Sequence, residues 1–328
     1  MKNNNPKEIA ALLSKIYGNQ LEPANYVRGV AISGKLRLSK LIPKSNIQIP
    51  SITKIVDPLI NENYLAKIIR SDGSVHAGFV WAEDLTEISG DTKYINFLKK
   101  IADSYLQFNS EGKALPIDPD DRVEDIFYSA ALLGRAYKFT NNDQYLEVLI
   151  GHLLSAMPES KTGLWWHCKS SPFFWGRGNA FVTLGFAEAL SYIPSNNQSK
   201  KAIENKHQLH IKNLLQYQDK SGAWHQVINR SDSYLEFTAT AMIGYALARG
   251  RSNGWLGSYV DGPLERAWQA VTNRIAEDGS VRDACVGTGP LEHLDDYVNR
   301  DTVNGIDDRS GSMALLFSIE YGTLLGEF

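Results

Sequence analysis

From about residue 52 onward, apolar residues recur at steps of three and four, and short stretches of Gly, Asn, Asp or Pro interrupt them. That spacing lays an apolar stripe along successive helices. It predicts helices near 52–69, 77–88, 92–108, 123–139, 143–157, 177–193, 200–217, 236–250, 260–276 and 310–325. Residues 26–50 read differently. Val27, Val30, Ile32 and Leu36, interleaved with Gly29 and Gly34, suggest extended chain or a hairpin packed outside the main body.

Two stretches resemble each other, Ile88-Ser89-Gly90-Asp91-Thr92-Lys93-Tyr94 and Phe139-Thr140-Asn141-Asn142-Asp143-Gln144-Tyr145. Each closes one helix in a polar turn and opens the next with an Asp and then an inward-facing Tyr, which is the signature of a repeated αα-hairpin. Such hairpins, set in a ring of inner and outer helices, bury a continuous core and gather loops at one mouth. The expectation is an all-α chain, an (α/α)6 helical barrel of six hairpins spanning 51–328, with 1–50 as an N-terminal extension packed on it. No Pro-rich or low-complexity linker divides the chain.

Composition narrows the function classes. With 328 residues and 43% hydrophobic content the chain can bury a sizeable core, and its formal charge of -3 is evenly mixed. No basic stripe faces a row of phosphates, so nucleic acid is not an expected partner. No run is long and apolar enough to span a bilayer. The N-terminus leads into the amphipathic Ile9, Leu12, Leu13 and Ile16, not into a signal-peptide core, and the expectation is a cytoplasmic protein, although a leader removed beforehand would leave the same sequence. Cys168 and Cys285 are too few for a disulfide framework and lack metal-ligand spacing. No metal or other cofactor is expected, and oligomeric state is left open.

The unusual stretch is 163–181. It sets Trp165, Trp166, Phe173, Phe174 and Trp175 beside His167 and Arg177 in a loop that runs into a helix start with Gly178, Asn179 and Phe181. Loops normally carry small polar residues. Aromatic faces stack on the C–H side of a pyranose, while Arg and Asn take hydroxyls and a carboxylate, so a small oligosaccharide is the expected ligand. The plainer reading is that the aromatics close the barrel floor and Arg177 pairs with a structural acid.

Phe174-Trp175-Gly176-Arg177-Gly178-Asn179-Ala180-Phe181, preceded by Gly163-Leu164 and His167, resembles the signature of unsaturated uronyl hydrolases. The resemblance is to glycoside hydrolase family 105 and, more distantly, family 88. Glu236-Phe237-Thr238-Ala239-Thr240-Ala241-Met242, Gly254-Trp255, Asp278-Gly279, Cys285-Val286-Gly287-Thr288-Gly289 and Asp307-Asp308-Arg309-Ser310-Gly311 follow in the expected order.

The resemblance implies hydration of a vinyl ether. An acid protonates carbon 4 of a terminal 4,5-unsaturated uronate and water adds at carbon 5; the hemiketal collapses to a keto-uronate and the neighbouring sugar is released. The family's acid is an Asp at a helix start, and Val123-Glu124-Asp125-Ile126-Phe127-Tyr128 is the matching run. The register puts Glu124 in its place, a departure in residue type, whereas a shift of one residue makes Asp125 the acid. Adjacent helix positions point about 100° apart, so one of the two is expected to face the cleft. Asp118, Asp120 and Asp121 already suffice to cap the helix.

A second family Asp has no clear equivalent in Asp72-Gly73-Ser74-Val75-His76-Ala77, which leaves His76 as a candidate substrate contact. By the same resemblance His167 and Arg177 line the sugar subsite, together with Trp165, Trp175, Gly178, Asn179 and Phe181. Arg177 suits the uronate carboxylate because its fork binds two oxygens. Asp307 and Asp308 read as N-caps. Two other readings remain. One is a sugar epimerase on the same barrel, which would need paired histidines, whereas His207 and His210 read as lying on a solvated helix. The other is a non-catalytic carbohydrate-binding barrel.

Overall fold

The computed structural model describes residues 4–42, 47 and 49–328. Helices alternate between an outer and an inner layer. The inner ones are α2 (Tyr26–Leu41), the pair α5 (Gly73–His76) and α6 (Ala82–Ser89) joined by a 3-10 turn, α8 (Glu124–Thr140), α10 (Gly176–Tyr192), α12 (Phe237–Ser252) and α15 (Asp308–Leu324). Each packs against the next, and α15 returns onto α2 to close the ring. Outside lie α1 (Pro6–Ile16), α3 (Ile49–Val56), α4 (Glu62–Ile68), α7 (Lys93–Asp103), α9 (Asp143–Ser155), α11 (Lys200–Leu215) and α13 (Asp261–Thr272). This is the expected (α/α)6 ring.

The two layers differ in pattern as their positions require. The outer α7 buries Tyr94, Ile95, Leu98, Ile101 and Ala102 and exposes its opposite face. Within α10, every residue from Gly176 to Leu190 is buried. A helix covered on all sides carries no stripe.

That is also why residues 26–50 mislead. Tyr26–Leu41 forms an inner helix, capped by the Asn25 side chain accepting from the Arg28 N–H, and is neither hairpin nor extended chain. Its β-branched residues pack all round, and burial overrides their weak preference for strands. The glycines that read as turn signals are points of close approach: a Cβ on Gly29 would lie 2.4 Å from the Gly78 carbonyl oxygen, and one on Gly34 would lie 2.9 Å from Leu315. With α1 packed on α15 and α2 inside the ring, this stretch is built into the barrel and not laid against it. Residues 43–46 and 48 of that expectation lie outside the described residues.

The hairpin repeat takes the anticipated form. Gly90 and Asn141 adopt the left-handed conformation just past α6 and α8. Tyr94 and Tyr145 are buried, and each donates its hydroxyl proton backward, to Asp57 and Asp103 respectively.

Two short antiparallel hairpins interrupt the helices. β1 (Trp224–His225) pairs with β2 (Leu235–Glu236), and β3 (Val281–Cys285) pairs with β4 (Thr302–Gly305), with the small helix α14 (Leu294–Val298) between β3 and β4. Because inner helices alternate with outer ones, all inner helices run in one direction. Their C-terminal halves meet in a buried ionic cluster. Arg135 of α8 lies 3.1 Å from Glu188 of α10 and 3.2 Å from Glu83 of α6, while Arg249 of α12 lies 3.1 Å from Glu320 of α15. Arg37 of α2 donates to Tyr245 of α12, whose hydroxyl donates to Glu188. All six inner positions of the ring contribute to this cluster.

Candidate active site

At the opposite end, the N-terminal turns of α2, α5, α8, α10 and α15 line a cavity of about 720 Å³. Tyr26, Asp72, Gly73, His76, Tyr105, Asp118, Arg122, Glu124, Asp125, Tyr128, Trp175, Arg177, Phe181, Thr288 and Arg309 line it. From Glu124 to Arg135 is eleven residues, or ~16 Å of helix, which separates the cavity from the ionic cluster.

Glu124 and Asp125 both face the cavity, against the expectation that one of them would turn away. Their surroundings differ. Glu124 Oε1 is hydrogen-bonded to His167 Nε2 at 3.0 Å, and its Oε2 is buried without a partner. Asp125 is pushed up to about 8, first by burial, then by the charges of Glu124 and Asp118 and by a hydrogen bond to Asp118. Its Oδ1 lies against Gly73, where a Cβ would come within 2.7 Å of it. Only a residue without a side chain lets the carboxyl sit there.

The expected caps serve other ends. The N-cap of α8 is Val123, with no side-chain cap. Asp118 accepts from the Asp120 N–H within its own turn, while Asp120 accepts from the Ser170 N–H and hydroxyl. Together with the Val123 N–H donating to the His167 carbonyl, these bonds fasten the aromatic loop to the start of α8. Asp307, by contrast, caps α15 by accepting from the Ser310 N–H at 2.9 Å.

The aromatic stretch 163–181 divides into wall and scaffold. Trp175 and Phe181 form wall. Phe181 stands edge-on to Tyr26 and Tyr128, with ring centroids 5.4 and 5.6 Å apart. His167 does not reach the cavity. It is fully buried behind Glu124, its ring tilted on Trp175 at 4.4 Å, with Nδ1 2.5 Å from the Tyr297 hydroxyl. Asn179 is a clamp. Its amide accepts from the Trp165 N–H and donates to the carbonyls of Trp165 and Trp175. Gly178 lets Trp175 and Val123 close over the helix start. Trp165 faces a second cavity of about 510 Å³ beside Met157 and Trp166.

Arg177 does not present a free fork. It is 1% exposed, lies over the Trp175 ring, and donates from Nη1 to the Cys285 carbonyl and from Nη2 to that of Val286, both at 2.8 Å. Its guanidinium holds the β3 hairpin against the wall. Arg309, on the first turn of α15, reaches the cavity 3.6 Å from Asp307 and in contact with Tyr26.

His76 lines the cavity with both ring nitrogens engaged. Nε2 donates to the Ile68 carbonyl at 2.9 Å, which leaves Nδ1 to accept from Tyr105 at 3.0 Å. Burial lowers its pKa. His207 and His210 are not solvated. They lie on the inward stripe of α11 with Ile203, Ile211 and Leu214, away from the cavity, and burial pulls each down to about 3. Among the described residues, no group of three or more His, Cys, Asp or Glu is placed to hold a metal ion. No described helix is long and apolar enough to cross a membrane.

The sequence reading missed Tyr26, Tyr105, Tyr128, Tyr297 and Arg309. Tyr26 was hidden by the misread stretch. Arg309 sat in a quoted motif whose aspartates drew attention as caps.

Residues 7–325 match Glycosyl Hydrolase Family 88. The chain belongs to that family. The resemblance had put family 105 first, and both appear among the relatives. The chain is 32% identical over 127 residues to the unsaturated rhamnogalacturonyl hydrolase YesR of Bacillus subtilis (strain 168), a match covering 39% of this chain and 35% of that protein. It is 29% identical over 113 residues to an unsaturated 3S-rhamnoglycuronyl hydrolase of Alteromonas sp. (strain LOR), covering 34% of this chain and 27% of that protein. The matches thus span about a third of each curated relative. A crystal structure of a possible GH105 member from Salmonella enterica serovar Paratyphi A superposes with a TM-score of 0.81 at 19% identity, covering 98% of this chain and 94% of the other, and shares the family 88 chain's fold.

Proposed function

We propose that this family 88 chain hydrates the 4,5 double bond of a terminal unsaturated uronic acid on a small oligosaccharide, releasing a keto-uronate and the neighbouring sugar. The observation that carries this reading is a pair of carboxyl groups on one cavity wall in unlike environments, Asp125 held protonated and Glu124 held as a hydrogen-bond acceptor. Two carboxyls with separated roles are an acid and a base. Asp125 gives its proton to carbon 4. Water gives its hydroxyl to carbon 5 and its proton to Glu124, and the adjacent carboxyls return to their starting states by exchanging protons with solvent. The similarity to YesR, an unsaturated rhamnogalacturonyl hydrolase, and to the Alteromonas unsaturated 3S-rhamnoglycuronyl hydrolase supports the substrate class.

This reverses the order that sequence register favours, in which Glu124 is the acid. Arg309 is the proposed partner of the uronate carboxylate, since the fork of Arg177 is engaged by two backbone carbonyls. Trp175 and Phe181 supply the apolar wall for the sugar ring. The unpaired buried thiols Cys168 and Cys285 suit a reducing compartment, so the proposed site of action is the cytoplasm. An epimerase finds no support, because among the described residues the cavity wall carries His76, whose nitrogens are both bonded, and no histidine pair.

The test is a panel of lyase-generated disaccharides from pectin, rhamnogalacturonan, ulvan and glycosaminoglycans, followed by loss of the ultraviolet absorbance of the conjugated double bond. Turnover of at least one, abolished in both Asp125→Asn and Glu124→Gln, is expected. A chain inert on every member would sink the reading.

A further inference from the structure

We propose that Tyr297 is a positioning residue that fixes the tautomer of His167 and thereby holds Glu124 as a proton acceptor. This rests on the base role given to Glu124 above, but its first readout does not need turnover. Tyr297 lies on α14 between the strands of the β3–β4 hairpin and is fully buried, in ring contact with Phe173 at 5.5 Å and His167 at 5.7 Å. Its hydroxyl oxygen accepts from the Leu291 N–H at 3.1 Å.

A backbone amide can only donate, and the Ser171 hydroxyl beside Tyr297 gives its own proton to the Leu291 carbonyl; of the two side chains facing the Tyr297 hydroxyl, His167 Nδ1 at 2.5 Å is the hydrogen-bonded one and takes its proton. Nδ1 is then the acceptor of the ring and Nε2 carries the proton. Nε2 lies 3.0 Å from Glu124 Oε1, which therefore accepts. Four groups in series, from a backbone amide of the hairpin to Oε1, thus have their donor and acceptor directions set by one fixed donor.

The alternative tautomer would turn the Nε2 lone pair toward Glu124. The carboxyl could then meet it only by taking a proton, and it would cease to be a base. A wrong tautomer at a base-orienting position is costly, as serine-protease triads show. The same hairpin supplies Thr288 to the cavity wall, so docking of one segment both closes the wall and sets the base. The other ionisable groups near Glu124 are Asp125 and Tyr128 on α8, Tyr26 on α2, and Arg177 and Arg309 against Tyr26; Cys168 lies near Tyr297. Glu124 Oε1 is hydrogen-bonded to His167, while Asp125 has its own bond to Asp118.

The decisive experiment is nitrogen NMR on the full chain labelled at histidine, with His167→Gln used to assign the signal. The wild type is expected to show the proton on Nε2, and Tyr297→Phe, which keeps the ring and its packing, to show a mixture or a proton on Nδ1. In kinetics, Tyr297→Phe is expected to lower kcat about tenfold or more with KM changed less than about twofold, and to move the acidic limb of the kcat profile to higher pH. A proton on Nδ1 in the wild type overturns the proposal, even if Tyr297→Phe fails to fold. So does an unchanged tautomer in a folded Tyr297→Phe, or a loss of kcat with the acidic limb unmoved. A wild type inert on all unsaturated uronides would sink the function and leave the NMR result standing.

Discussion

Glu124 and Asp125 are consecutive in the chain and face the same cavity, one against the imidazole of His167 and the other against the carboxyl of Asp118. The first turn of α8 is still 3-10 in character, with the Asp125 N–H donating to Arg122 and the Ile126 N–H to Val123. Adjacent side chains in such a turn stand about 120° apart, so the two carboxyls reach the one cavity from different sides of the helix end and not by pointing the same way.

Asp125→Asn should lower kcat by about a hundredfold to ten-thousandfold, the range for a lost general acid. It should also stabilise the protein at neutral pH, by on the order of 2 kcal/mol, because Asp125, ionised in the unfolded chain, must take up a proton to fold beside two acids, whereas Asn need not. Urea unfolding at neutral pH checks this. A destabilised Asn variant would mean that the Asp118 contact is the larger effect.

The pH profile should carry the same signature. An Asp raised to about 8 is protonated through neutrality, so kcat should fall as pH rises through about 8. For stability the sign is opposite to that of a salt-bridged Asp. The native state binds the proton more tightly than the unfolded chain, so this group's contribution weakens as pH climbs from the unfolded value toward 8. Rate measurements from acid to mildly alkaline pH, with Asp125→Asn lacking the alkaline limb, test the assignment.

The two arginines should separate. Arg309→Gln should cut the preference for an acidic over a neutral sugar ligand by about tenfold to a hundredfold, the worth of a charged hydrogen bond, while leaving the melting temperature near that of the wild type. Arg177→Lys should cost about 2–4 kcal/mol of stability, because one ammonium cannot serve the Cys285 and Val286 carbonyls in the same geometry. Calorimetric titration with uronate and neutral pyranosides, beside thermal melts, distinguishes them. Equal loss of acidic preference in both would return the carboxylate to Arg177.

Glu188→Gln should destabilise by about 3 kcal/mol, because it removes one of the two carboxylates that face the buried Arg135 and leaves Glu83 alone. Although burial pushes Glu188 up, the charges of Arg135, Arg249 and Arg37 outweigh it and hold the carboxyl down at about 2. Its stabilising share is therefore present above the ordinary carboxylate range and lost as pH falls toward 2. Denaturant midpoints of wild type and Glu188→Gln should converge over that acidic window.

What was legible in the sequence follows from physics. Outer helices such as α7 announce themselves because one face meets water, and the hairpin repeat shows because a left-handed residue ends both α6 and α8. The inner α2 did not, since a helix buried all round has no stripe and its glycines serve contact, not turning. Glu124, Asp125, Trp175 and Phe181 were found as wall residues by composition and resemblance. The true settings of His167 and Arg177 were not, because a motif names residue types and cannot say whether a fork is filled by a ligand or by the chain's own carbonyls. Tyr297 lies 130 residues beyond His167 and gave no local sign.

The common direction of the inner helices has an electrical consequence. Each helix presents roughly half a positive charge at its N-terminus, and the ends of α2, α8, α10 and α15 line the cavity, while the opposite ends are met by Arg37, Arg135 and Arg249. The ring thus acts as a fixed lens that concentrates anions at its mouth before any side chain touches them. A uronide and its keto-acid product carry the same charge, so this lens draws in both alike; selectivity must come from shape, and added salt should slow capture and loosen product together.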